Sequence, residues 1–267
     1  MLTAQLDAVT AVRAAAPQIA EAADLVAGRI AAGGRWLFVA TDAVAERLVA
    51  LATGGLVVEF GLADGAVQAT TSVTALRPTA RDAVVVVATT GATTNAAAEL
   101  AAATRARAGL VLVTTAAEAA ATATTAAGPA AEVLIAPTVG REPVHGDAGL
   151  GAATALKAVL DAMTTAVVAR HGRVHGDLPV DLVADDDTKR ERVVAMVVAI
   201  AGVDDDTARL AATAAGHDVR VAVLALIGGL TVSEAVTLAA NHRTLRDALA
   251  NLPSRPPEIP TGGGLSA

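Results

Sequence analysis

The sequence predicts an α/β fold, a doubly wound, mostly parallel five-stranded sheet flanked by helices, with a small helical subdomain at the C-terminal end. Three observations carry this expectation. Short apolar runs lack the polar alternation of a half-exposed strand, as strands covered on both faces do, and Ala83-Val84-Val85-Val86-Val87 is the clearest of them. Such runs alternate with Ala-rich stretches of helical spacing, the order that builds parallel sheets. After residue 182 the strand-like runs stop and short helical patterns succeed one another. The expected organisation is a sheet domain with its N-terminal helices over 1–182, a lid-like helical subdomain over 183–251, and a disordered tail over 252–267, where Pro and Gly replace apolar residues.

The elements follow in order. Residues 3–32 repeat Leu, Val, Ile and Ala at helical spacing, with Pro17 suited to the first turn of a second helix and Gly33-Gly34 as a stop. Two helices, or one broken helix, therefore precede a buried strand from Arg35 to Ala40. Thr41-Asp42 reads as a loop and N-cap opening a helix over Ala43 to Thr53. Val57-Val58-Glu59-Phe60 is a short second-strand candidate and Val67 to Val73 a weak third. The central strand at Ala83 leads into Thr89-Thr90-Gly91-Ala92-Thr93-Thr94 and a helix over Asn95 to Arg107. Gly109 to Val113, a helix across Ala116 to Ala126, and the strand Val133 to Ile135 complete the alternation. Next come a loop containing Gly, Pro and charges, a long Ala-rich helix and a second Gly-marked loop, together Gly140 to Asp181. Asp185-Asp186-Asp187 and Asp204-Asp205-Asp206 stand where carboxylates suit helix N-termini, and helices are expected over 186–202, 205–215, 217–227, 232–240 and 242–251.

Composition narrows the class. With 267 residues the chain can bury a full core, but its 54% hydrophobic content leans on Ala and includes only three aromatic residues, Trp36, Phe38 and Phe60. Absence of cysteine excludes disulfides and thiolate metal sites and fits a reducing compartment. A net charge of -7 without a basic run argues against a nucleic-acid partner. The apolar runs are short and broken, and the first residues lack a signal-peptide pattern, so a cytoplasmic protein without a membrane partner is expected.

A strand feeding a loop and then a helix N-terminus is where α/β proteins place ligands, which directs attention to Gly140–Asp181. There, Arg170-His171-Gly172-Arg173-Val174-His175-Gly176-Asp177-Leu178-Pro179-Val180-Asp181 resembles the R-x-G-K-V-Y-G-N-L-M-V-D segment of the N-acetylmuramic acid 6-phosphate etherase family, a branch of the sugar isomerase (SIS) superfamily. The resemblance continues through Asp186 to Arg192 and into Ala215-Gly216-His217-Asp218-Val219-Arg220-Val221-Ala222-Val223, similar to the family's G-x-V-K-x-A-I element, and spans most of residues 5–250. It implies a SIS-type fold, a homodimer with its site across the interface, an amino-sugar 6-phosphate ligand, and neither cofactor nor metal. The implied reaction cleaves the lactyl ether of MurNAc 6-phosphate to GlcNAc 6-phosphate and D-lactate. It needs a base for the proton next to the ring aldehyde and an acid for the departing oxygen, roles suited to carboxylates of raised pKa.

Carried over residue by residue, the resemblance is uneven. Thr89-Thr90-Gly91-Ala92-Thr93-Thr94 matches the family's A-S-G-R-T-P, with Thr90 for the Ser, Gly91 for the Gly and Thr93 for the Thr. Hydroxyls around a glycine at a helix start are what an oxyanion needs, so Thr89, Thr90, Gly91, Thr93 and Thr94 are candidate phosphate ligands; a Thr-rich N-cap without ligand is the plain alternative. Where the family has G-A-G-T-S-G-R-L, this chain has Ala40-Thr41-Asp42-Ala43-Val44-Ala45-Glu46-Arg47-Leu48. Asp42 there would repel a phosphate by roughly 1 to 4 kcal/mol at short range unless it turns away to cap its helix. Gly55 stands where the family places one catalytic Glu, and the span from Gly61 to Arg81 is too short for the helix bearing the second.

In the loop before the long helix, Gly140-Arg141-Glu142 resembles the family's G-P-E, and Gly146, Thr154 and Lys157 match its Gly, Thr and Lys. Asp147-Ala148-Gly149-Leu150-Gly151 replaces S-T-R-(L/M)-K, a change of about three charge units within a Debye length of roughly 8 Å that weakens anion binding. Glu142 and Lys157 are candidate ligand residues or, equally, a buried structural ion pair. Glu59, Glu142 and His145 are the candidates for acid–base work in a diverged reaction. His171 and His175 are four apart, but Gly172 and Gly176 oppose the unbroken helix that a metal pair would need.

Two classes of function remain: a sugar-phosphate lyase or isomerase, and a SIS protein that binds a sugar phosphate or partner and regulates without catalysis. A heteromer with a paralogue that supplies the missing acids is a further possibility.

Overall fold

The computed structural model describes residues 2–60, 67–89, 93–115, 131–140 and 149–253. The chain divides into two compact units, Met1–Val183 and Ala184–Ala267.

The first unit opens with α1 (Leu2–Ala14) and α2 (Ala16–Ala31), separated at Ala15, with Pro17 in the first turn of α2, where its missing N–H costs nothing. The chain turns at Gly33 (φ 78°) and enters β1 (Trp36–Ala40). Gly34 sits against the lead-in to a neighbouring strand so closely that a Cβ there would lie 1.9 Å from the Arg81 carbonyl oxygen. After β1 comes α3 (Ala43–Phe60), which corrects the strand expected over Val57 to Phe60: that segment is the final turn of the helix. A short apolar run has no period of its own to distinguish strand from helix, and Gly54-Gly55 costs a helix only about 1 kcal/mol per residue, too little to end one already packed through Val49 and Ala52. The second strand is instead β2 (Val67–Thr70). The stretch from Val67 to Val73 is strand only as far as Thr70, and Val73 begins the single turn α4 (Val73–Leu76).

The remaining elements are β3 (Ala83–Ala88), α5 (Thr93–Arg105), β4 (Gly109–Thr114), β5 (Val133–Ile135), α6 (Leu150–Arg170) and the small hairpin β6 (Val174–His175) and β7 (Leu178–Pro179). The helix expected across Ala116 to Ala126 lies outside the described residues.

The five main strands are parallel and ordered β2-β1-β3-β4-β5. Their alternate residues build two separate cores. Trp36, Phe38, Val85, Val87, Val111 and Val113 pack with α1, α2, α3 and α6 on one face, whereas Leu37, Val39, Val84, Val86, Leu110 and Leu112 pack with α4 and α5 on the other. Burial on both faces accounts for the unbroken Val runs. Helix α6 packs against α1, α2 and α3, and its Ala and Gly positions allow close approach. It is long and apolar enough to cross a bilayer, but half of it is buried inside this unit.

At the N-terminal ends of β1 and β3, Asp82 is only 2% exposed and joins the two strands. Its carboxylate accepts from the Arg35 backbone N–H (2.8 Å), from Arg35 Nε (3.2 Å) and Nη2 (2.8 Å), and from the Thr79 N–H (2.7 Å) and hydroxyl (3.0 Å). Burial alone would raise its pKa; the hydrogen bonds from Arg35 and Thr79 outweigh that and lower it to about 2.

The second unit comprises α7 (Asp187–Ala201), α8 (Asp205–Ala214), α9 (Val219–Gly228), α10 (Val232–Asn241) and α11 (Leu245–Ala250). Each begins at a side-chain cap: Asp186, Asp204, Asp218, Thr231 and Thr244 accept from backbone N–H groups of their own first turns. Thr231 and Glu234 complete a capping box. Gly202 and Gly229 terminate α7 and α9 in the left-handed conformation that glycine adopts without strain. Helix α9 is the centre of this unit, burying Val219, Val221, Ala222, Val223 and Leu224 against its neighbours.

Two predictions follow from these contacts. Gly34→Ala destabilises the protein by at least about 2 kcal/mol in urea unfolding, because backbone must move, while Gly28→Ala at an exposed position of α2, with nothing within 4 Å of the added methyl, stabilises it by about 0.5–1 kcal/mol. The depressed Asp82 pKa contributes stability that is fully present above the ordinary carboxylate value of 3.8 and is lost as pH falls towards 2, on the order of 2.5 kcal/mol. Asp82→Asn is therefore less stable than the parent at pH 7, and the gap narrows between pH 4 and 2 in unfolding titrations.

Candidate functional site

The strand order reverses between β1 and β3: the chain passes outward from β1 to β2 on one side and from β3 through β4 to β5 on the other. At such a reversal the loops leaving the C-terminal strand ends turn apart and open a crevice, the usual ligand position in open parallel sheets. In this chain the loops facing one another there begin at Thr41 and Thr89.

Thr41 continues the ladder by one residue, its N–H donating to the Val87 carbonyl (3.1 Å). Its hydroxyl lies within reach of that same carbonyl (3.1 Å) and of the Asp42 carboxylate (3.4 Å), and serves one of them at a time. Asp42 caps α3: Oδ1 accepts from the Val44 and Ala45 N–H groups, both at 2.9 Å. Its second oxygen, Oδ2, reaches from the end of β1 to the end of β3 and accepts from the Thr89 hydroxyl (2.6 Å) and the Thr89 N–H (3.3 Å). Burial pushes the Asp42 carboxyl up, but the Thr89 hydroxyl and the N–H groups of Ala45, Thr89 and Val44 together hold it below the ordinary carboxylate value. Asp42 is thus a fixed negative charge with donors from two different strand ends around it.

The other candidates are distributed differently. Thr90, Gly91, Glu142 and His145 lie outside the described residues. Thr93 and Thr94 open α5, which places the start of a helix just beyond the Thr89 edge. Glu59 belongs to the last turn of α3, roughly 25 Å along the helix axis from the end that Asp42 caps, at 1.5 Å per residue. Lys157, in the second turn of α6, pairs with Asp161 one turn on at 2.5 Å, and both side chains are exposed. Thr154 donates its hydroxyl back to the Leu150 carbonyl (2.8 Å).

The segment from Arg170 to Asp181 is held by its own contacts. Gly172 (φ 82°) and Gly176 (φ 63°) take left-handed turns, which separates His171 at the end of α6 from His175 in β6. Arg173 pairs with Asp181 (3.2 Å) and its carbonyl accepts the Val180 N–H (3.0 Å), closing the hairpin. The regularity of this segment in sequence therefore has a structural cause.

Of the sequence-derived candidates, the structure places Thr89 at the C-terminal end of β3 and joins it to Asp42, which the sequence assigns to helix capping alone. The capping role is correct and incomplete. A signal was present in the charge directly after β1, but the adjacency of β1 and β3 that gives it a second partner is a property of strand order.

No protein-family model matches the sequence. Among curated proteins, the chain is 33% identical over 237 residues to the N-acetylmuramic acid 6-phosphate etherase of Symbiobacterium thermophilum, covering 80% of this chain and 76% of that protein. It is 37% identical over 122 residues to the etherase of Klebsiella aerogenes and 33% identical over 121 residues to etherase 1 of Vibrio cholerae. These two matches span 41% and 40% of the respective relatives. Identity of this degree over most of both chains in the first match, together with the parallel sheet and its ordering, establishes that the chain belongs to the N-acetylmuramic acid 6-phosphate etherase family.

Proposed function

We propose that the crevice between the β1 and β3 loops binds an amino-sugar phosphate and that the chain does not cleave the lactyl ether. One observation carries the ligand class: kinship over 80% of the chain with a protein named for a sugar 6-phosphate. The position follows from the reversal of strand order and from Thr89, a hydroxyl-bearing residue at the edge where α5 begins. Loss of the reaction follows from the acids. Gly55 occupies the place of one family glutamate, and the span after Gly61 is too short for the other. Without the two family glutamates the ether lacks the base and the acid that the family uses for cleavage, even when the sugar is bound. The reading includes a homodimer without metal or cofactor, in a cytoplasm consistent with a cysteine-free chain.

A thermal-shift panel of glucosamine 6-phosphate, N-acetylglucosamine 6-phosphate and MurNAc 6-phosphate, with D-lactate assayed in parallel, tests it. At least one sugar phosphate is expected to raise the melting temperature, with no D-lactate above the rate without protein. D-lactate release that is abolished by Glu142→Gln would establish the lyase instead, and no stabilisation by any member of the panel would remove the binding role.

A further inference from the structure

We propose that Asp42 is the specificity-determining residue of this crevice: its carboxylate is an internal anion standing where a ligand phosphate would be received, so that a phosphorylated sugar binds only by displacing it. The inference rests on the crevice reading above and adds to it the residue that limits affinity.

Helix capping accounts for half of the Asp42 geometry. A cap needs one oxygen directed at the first-turn N–H groups, and Oδ1 supplies it to Val44 and Ala45. The carboxylates of Asp186, Asp204 and Asp218 do the same for their helices, accepting from the N–H groups of Lys189, Thr207 and Val221. Asp42 differs in using Oδ2 on Thr89, which is 47 residues away in sequence and sits at the end of a different strand. A short hydroxyl bond (2.6 Å) and a longer backbone one (3.3 Å) converge from Thr89 on that single oxygen. The four donors from Val44, Ala45 and Thr89 form a cradle for one oxyanion, drawn from both walls of the crevice at the strand-order reversal, and the cradle is already filled. A phosphate entering there would meet a carboxylate kept ionised by its hydrogen bonds, and would have to take over the Thr89 donors against that charge.

Two substitutions separate charge from capping. Asp42→Asn keeps the shape and one capping oxygen and removes the charge. Asp42→Ser keeps a hydroxyl cap and withdraws the side chain from Thr89. Circular-dichroism melts identify which variants fold, and either suffices. Isothermal titration of the parent and both variants with glucosamine 6-phosphate, inorganic phosphate and unphosphorylated glucosamine is the experiment. The folded variants are expected to bind glucosamine 6-phosphate at least tenfold more tightly than the parent, to gain for inorganic phosphate in the same direction, and to change less than twofold for glucosamine. If the parent binds glucosamine 6-phosphate and the variants bind it no more tightly, Asp42 does not limit affinity and the inference fails while the proposed function stands. Binding by the variants but not by the parent supports the inference and overturns the proposed function for the natural chain. Silence from all of them overturns both, because vacating the cradle has then exposed no anion site.

Discussion

The pairing of β1 with β3 is the constraint on which the first unit depends. These two parallel strands, in register from Trp36 opposite Ala83 to Ala40 opposite Val87, lie next to one another although a complete strand, β2, separates them in sequence. Each end of the pair is fastened by an aspartate. Asp82 gathers Arg35 and Thr79 at the closed end, and Asp42 gathers its own helix start and Thr89 at the open one. A buried or half-buried carboxylate is costly unless fully surrounded by donors, and that cost makes both fastenings specific. A register slip of one residue would leave the charges unpaired as well as exchange the two faces of the sheet.

The two fastenings act on chemically different ends. The Asp82 end has the Arg35 guanidinium to neutralise it. The Asp42 end relies on dipoles from N–H and hydroxyl groups, the same groups that an incoming oxyanion would use. One motif, a carboxylate binding two strands, therefore serves architecture at one edge and bears on recognition at the other.

Much of the fold was legible because local patterns agreed with the final packing. Ala83 to Val87 could only be a doubly covered strand, Pro17 and Gly33 marked helix boundaries, and the aspartates before α7 and α8 marked their starts. Val57 to Phe60 misled because four residues, three of them apolar, are too few to show a periodicity, and their state was decided by the helix they continued. The site was less legible. Thr89 was identifiable from its hydroxyl-rich context, but Asp42 reads in sequence as an N-cap and nothing more. Its second partner depends on strand order, which no local pattern encodes. The segment from Arg170 to Asp181 was the most recognisable stretch because its glycines and its Arg173–Asp181 pair hold a turn, so its regularity speaks for ancestry more than for chemistry.

Trp36 has one further consequence. It is the only tryptophan, fully buried at the start of β1 with its ring 4.9 Å from that of Phe38, and residues 184–267 contain no Phe, Tyr or Trp. The fluorophore is fully buried in the apolar cluster that the sheet forms with its helices. Intrinsic fluorescence of this protein is therefore a private signal of the sheet unit, whereas far-ultraviolet ellipticity sums the helices of both. The difference between the two signals on heating or in denaturant measures whether the helical unit melts with the sheet or on its own, without a label or a cut in the chain.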